Sequence, residues 1–183
     1  MGTGDGRTSD GTATPSGGGG AEPPAGGRGP RLRGWRGILV WGGIGAIALF
    51  ALIQVIPYGH SHANPPVTGE PSWDSPRTEV LFTQACGDCH SNLTTWPWYS
   101  NVAPVSWLVQ SDVDGGRSEL NVSEWDRPQD GAGDVVEQIE GGGMPPSYYT
   151  WMHSSAKLSA TEKQALVRGW QATMRRSPPI GGG

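Results

Sequence analysis

Along this chain the apolar residues gather into one long uncharged run, followed by shorter periodic stretches broken by glycine and proline. The long run is Ile38 to Ile56, nineteen residues with no charge and one amide, Gln54. At ~1.5 Å rise per residue it covers roughly 28 Å, close to the ~30 Å hydrocarbon thickness of a bilayer. The pattern predicts one transmembrane helix over residues 37–57. Before it, Met1 to Pro30 holds little that is apolar beyond scattered alanines, with glycines at 17–20. Such a segment cannot offset its ordering entropy, so residues 1–36 read as a disordered tail. After the run, His60-Ser61-His62 and Pro65-Pro66 read as a semi-rigid linker over 58–72.

From Trp73 onward the pattern turns helical. Ser75-Pro76 places an N-cap before a proline at the first helical position. The helix it starts runs through Val80, Leu81 and Ala85 and ends near His90. Between Asn92 and Ser111, Pro97 and Pro104 prevent one continuous helix, so a loop and then a short helix from about Pro104 are expected. Asp112 and Asp114 sit among glycines and read as solvated loop. Asp134 and Glu137 have capping-box spacing ahead of a short helix through Ile139. A second capping box, Ser159 with Glu162, opens a helix whose Leu166, Trp170 and Met174 recur every four residues, with Val167 beside them. Pro178-Pro179 stops it, leaving residues 177–183 as a flexible C-terminus.

Composition and charge set the orientation. Arg28, Arg31, Arg33 and Arg36 precede the long run, and no Lys or Arg follows until Arg77. The positive-inside rule therefore puts the tail in the cytoplasm and the rest outside the cytoplasmic membrane, with Trp41 and Tyr58 at interfacial depths. A cleaved signal peptide is the rival reading, with Ser61-His62-Ala63 as a loose cleavage site, but the apolar run exceeds the usual 7–15 residues. From Tyr58 on there are eight basic and fourteen acidic residues. An acidic domain favours a partner with a basic docking face, and no basic stripe suggests nucleic acid. Nine tryptophans against two phenylalanines point to a small core of large flat rings.

The chemistry lies in Cys86-Gly87-Asp88-Cys89-His90. Cysteines at i and i+3 share one helical face, so both thiols can reach the two vinyl groups of one porphyrin, and His90 follows as the proximal iron ligand. A zinc site needs about four ligands and finds no second pair here. A redox dithiol belongs in a βαβ pattern, which is not found. Both cysteines are used, so no disulfide framework remains. A second stretch, Gly141-Gly142-Gly143-Met144-Pro145-Pro146, would hold a thioether out on a constrained loop, making Met144 the candidate distal ligand, with His153 as the alternative. Met152 is a further competitor, and Met174 reads as packing. Trp96, Trp98 and Tyr99 are candidates for the haem edge, and Arg117 for a propionate.

These residues resemble the haem-binding domain family of bacterial c-type cytochrome-like proteins. The resemblance rests on Ala85-Cys86-x-x-Cys89-His90-Ser91, Thr95-Trp96-Pro97-Trp98-Tyr99-Ser100 and Val102-Ala103-Pro104-Val105-Ser106-Trp107-Leu108. It extends through Gly116-Arg117, Leu120-Asn121-x-Ser123-x-Trp125, Gly143-Met144-Pro145, Tyr149-x3-His153 and Ala156-Lys157-Leu158. It covers roughly residues 73–175 and implies one covalently held haem c per chain, in a small helical domain tethered to or exported across a membrane. Asp112 departs from relatives that carry histidine there. The expected fold is thus all-α: a small cytochrome c-like haem domain over 73–176 with long irregular loops, behind one transmembrane helix. The expected role is electron transfer with redox partner proteins of a respiratory chain. The rival is a haem peroxidase or gas sensor with an open or displaceable sixth ligand; a haem-free dithiol oxidoreductase is a third possibility.

Overall fold

The computed structural model describes residues 32–181, so the tail reading of 1–31 and the last two residues lie outside the described residues. Six α-helices are described: α1 Leu32–Ile53, α2 Pro76–His90, α3 Val105–Glu119, α4 Val135–Glu140, α5 Ser147–Met152 and α6 Ala160–Arg176. Among the described residues no strand forms, and the one β-bridge joins Gly69 to Glu124. The all-α expectation holds.

α1 takes up the long apolar run as far as Ile53, four residues short of the helix end expected at 57, and Gln54 and Val55 follow it as a turn. Its residues Gly34–Ile53 are long and apolar enough to cross a membrane, and none of that stretch is buried by protein. By length and composition, a membrane span and a signal sequence pass this test equally.

The core forms where α2, α4 and α6 meet the segment after α3. Phe82 stacks on Trp170 at 5.2 Å between ring centroids, with planes 11° apart. Trp125 meets the Trp170 ring edge-on at 5.9 Å, and Trp73 packs against Phe82 at 5.3 Å. Leu81, Ala85, Leu120, Val135, Ile139 and Leu166 fill the space around them. Three of the tryptophans therefore serve a protein core. Burying rings of this size contributes more per residue than aliphatic packing, which suits a small domain.

Two helix starts behave as their sequences dictate. Ser75 Oγ accepts the Thr78 amide at 3.3 Å, with Pro76 in the first turn of α2. Ser159 and Glu162 form both arms of a capping box on α6. α4 does not. Asp134 enters it in helical conformation from a 3-10 turn over Asp130–Gly133, and its side chain makes no capping bond.

Two further expectations are corrected. α3 is not short: it continues through Asp112, Asp114, Gly115 and Gly116. The glycine is what lets it continue there, because a Cβ on Gly116 would fall 2.5 Å from the Cys89 carbonyl oxygen. Nor is 58–72 a spacer. It lies on the domain as a strap: Thr68 N–H donates to Ser123 O, Trp125 N–H to Gly69 O, and Asn92 Nδ2 to Pro66 O. His62, at φ +42°, stacks on Trp96 at 4.6 Å.

Candidate haem site

One cavity of about 450 Å³ opens between α2, α3, α4 and the segment leading into α5. Cys86, Cys89 and His90 form its α2 wall. They end that helix because Ser91 turns to extended backbone and its Oγ donates back to Gly87 O at 2.7 Å. α3 contributes Asp112, Gly115 and Gly116, and Met144 to Pro146 lie across the opening with Tyr148 and Tyr149. Both predicted thiols, the predicted histidine and the predicted thioether thus face one space.

The details suit an iron porphyrin. His90 Nδ1 lies 3.0 Å from Leu120 O, so it carries the proton and donates it to that carbonyl. Nε2 is then left with its lone pair, the tautomer that a metal-ligating imidazole needs. Burial lowers the His90 pKa, partly opposed by hydrogen bonds to the Leu120 and Gly116 carbonyls, and so favours the neutral ring. Burial pushes the Cys86 thiol up to about 12, with Cys89 adding to the effect. Cys89 is also raised to about 12, by burial first and then by Asp112 and Asp88. Without a cofactor these are unreactive neutral thiols. The missing side chain at Gly116 lets α3 lie directly against Cys89 on α2.

Four predicted contacts fall elsewhere. Arg117 does not face the cavity. Its fork donates to Ser91 O, Ala63 O, Asn64 Oδ1 and Thr94 Oγ1, all within 3.0 Å, and so fastens the strap to the end of α2. A guanidinium with four acceptors in place has no fork left for a propionate. Trp96 is equally committed, stacked on His62 and donating Nε1–H to Asn64 Oδ1. Trp98 is 78% exposed. Tyr99 bonds His153 Nε2 at 3.1 Å, and neither Trp98 nor Tyr99 lines the cavity.

His153, the alternative distal ligand, is taken up by that same bond while its Nδ1 lies 3.2 Å from Tyr149 O. Met152 is exposed, and Met174 packs against the core.

Sequence reasoning missed two polar pairs. Tyr149, on the cavity wall, donates to Asp88 Oδ2 at 2.7 Å, and its ring stacks on His153 at 4.2 Å. Burial and the Asp88 carboxylate raise the Tyr149 pKa, so it stays a donor. Tyr148 donates to Asp112 Oδ2 at 3.1 Å, and both line the cavity. The spacing Tyr149-x3-His153 was a signal for the ring stack alone, and neither carboxylate partner had a local one. Asp88 lies on α2 and Asp112 on α3, both far from α5 in sequence.

Over residues 48–172, more than half of its length, the chain matches the model of the haem-binding domain family, and it belongs to that family. It is a haem protein built as an all-α domain behind an apolar helix. The match begins inside α1, so it takes in the strap that the sequence reading set apart as a linker. Comparison with curated proteins and with solved structures gives no match to either.

Proposed function

We propose that this chain is a membrane-anchored, monohaem c-type cytochrome that passes electrons outside the cytoplasmic membrane. The observation that carries the reading is the convergence of two thiols, an Nδ1-tethered imidazole and a thioether on one cavity. Cys86 and Cys89 would form the thioether bonds, His90 Nε2 would ligate the iron, and Met144 would supply the sixth ligand. The bound haem supplies a one-electron couple, and histidine–methionine ligation favours a raised potential over substrate chemistry. The chain's own part is to hold His90 in its Nδ1–H tautomer through Leu120, keep the ring neutral by burial and fix Met144 on its loop. α1, retained as an anchor, would keep the domain at the membrane, and its acidic surface would receive the basic face of a respiratory redox partner.

The test is expression beside haem-attachment machinery, followed by intact mass and a pyridine haemochrome spectrum. We expect one haem per chain, and none covalently held after Cys86→Ser with Cys89→Ser. Wild-type chain that never gains the mass of a haem would refute the proposal.

A second reading is favoured by the Tyr148–Asp112 pair, which sets a phenol on the cavity wall beside an exposed Met144. That arrangement would suit a displaceable sixth ligand, as in a gas sensor or peroxidase. A ferrous spectrum unchanged by carbon monoxide excludes it. A shift that Met144→Ala does not enlarge establishes it.

A further inference from the structure

Two stretches without charge meet in this fold. Between Arg36 and Glu70 there is no Asp, Glu, Lys or Arg, and there is none between Asp88 and Asp112. Gln54, in the turn just past α1, joins them with both arms of its amide. Its Oε1 accepts Ala103 N–H at 2.9 Å, and its Nε2 donates to Ala103 O at 3.0 Å. Five residues later, Gly59 at φ +87° packs so tightly on Ser106 that a Cβ would fall 2.7 Å from its backbone. The start of α3 is thereby fastened to the end of the apolar helix.

Around that junction the large exposed side chains are apolar, with Asn101 the uncharged polar exception: Leu52, Val55 and Tyr58 on one stretch, Trp98, Val105 and Leu108 on the other. Trp98, at 78% exposure, is well suited to a headgroup layer, where an amphipathic indole has both apolar and polar surroundings. With no charge to strip of water, pressing this face into that layer costs little.

We propose that the face carrying Trp98 and Val105 lies on the lipid surface of the membrane that holds α1, so that the haem domain is docked rather than dangling. This rests on the anchor reading above. The occupant is lipid because the patch continues the lipid-facing helix with no charged break. Val105, Leu108, Asp112 and Gly115 follow one stripe of α3, and the last two line the cavity. From Val105 to Asp112 is about 10 Å of helix, so docking holds the haem site close above the headgroups.

The experiment uses the full holo chain in lipid nanodiscs, reduced, with a ketone-linked nitroxide replacing Ile47, Trp98, Val105 or Gln164 in turn. Collision with dissolved oxygen and with a water-soluble nickel chelate is read at each. We expect positions 98 and 105 to collide with the nickel chelate several-fold less than 164 on α6, following 47 in α1. Nickel access at 98 and 105 equal to that at 164, with 47 still lipid-embedded, overturns docking on lipid alone and leaves the anchor standing. A mature chain lacking α1, or with 47 open to nickel, overturns both together. Because 98 and 105 are separate substitutions, a holo haem band retained by either keeps the test decisive.

Discussion

Gly116 carries more of the site than its size suggests. Its missing side chain lets α3 lie on the Cys89 carbonyl, and any Cβ there must push the two helices apart. We expect Gly116→Ala to destabilise the domain by about 1–3 kcal/mol, the usual range for overpacking, and to lower haem incorporation. Urea denaturation with haem quantitation checks both effects. The buried thiols give a pH signature. In the haem-free fold Cys86 and Cys89 ionise near about 12 rather than 9.0. Between those values the unfolded chain has released protons that the folded chain retains, so stability falls as pH rises through that window. Haem-free protein should therefore lose stability between pH 9 and 11 more steeply than a Cys86→Ser, Cys89→Ser variant, as thermal melts at stepped pH would show. Equal slopes would mean the thiols are not shielded. At this scale the sequence was legible where chemistry is local: Cys86, Cys89 and His90 share a turn, and their spacing alone placed them together. Arg117 was not legible, because a guanidinium serves a carboxylate or four neutral acceptors equally well, and only the position of residues 63–64 decides which.

Elements show the same division between local and distant causes. α6 follows from its own sequence, since the box at its start and its apolar stripe are both local. Replacing Ser159 with Ala removes the acceptor for the Glu162 amide at 3.3 Å. We expect a loss of about 1 kcal/mol, with the melting temperature as the readout. An unchanged melting temperature would mean that tertiary packing alone fixes the start of α6. α3 was misread as breaking at its glycines, because a lone glycine lowers helix propensity by about 1 kcal/mol relative to alanine. The contact with Cys89 supplies the missing reason, and it comes from another helix. Asp134 erred in the opposite direction. Its spacing matched a capping box, yet the 3-10 turn before it leads the chain in already helical, which leaves the side chain off the amides it was expected to bond. α5 went unpredicted for want of length. Six residues carry too little periodicity to read, and its tyrosines gain their meaning from Asp88 and Asp112 on other helices.

For the molecule as a whole, the strap over residues 59–69 decides where the haem domain begins. Composition argued for a linker because prolines and small polar residues fill it. That argument overlooks the buried acceptors and donors the strap completes in the domain. Asn92 is wholly buried, and its side chain bonds Pro66 O, Glu124 Oε1 and Asn121 Nδ2 at 2.8–3.0 Å. Removing the strap strips one partner from that network, two of the four from Arg117, and the ladder bonds from Ser123 O and Trp125 N–H. Each such bond is worth about 0.5–1.5 kcal/mol net, more where a buried group is orphaned. Ordering the strap costs entropy in the intact chain, which offsets part of the gain. The balance still favours the strap, because the groups it satisfies lie inside the domain and cannot all be rehydrated. We therefore expect a chain beginning at Trp73 to be less stable than one beginning at Gly59 by on the order of 3 kcal/mol, a sizeable part of the 5–15 kcal/mol that holds a domain of this kind together. Urea midpoints of the two chains, both carrying haem, measure the difference. Coincident midpoints would return residues 59–69 to the status of a tether. A gap of the expected size makes the strap part of the haem domain and explains why the family match begins ahead of it.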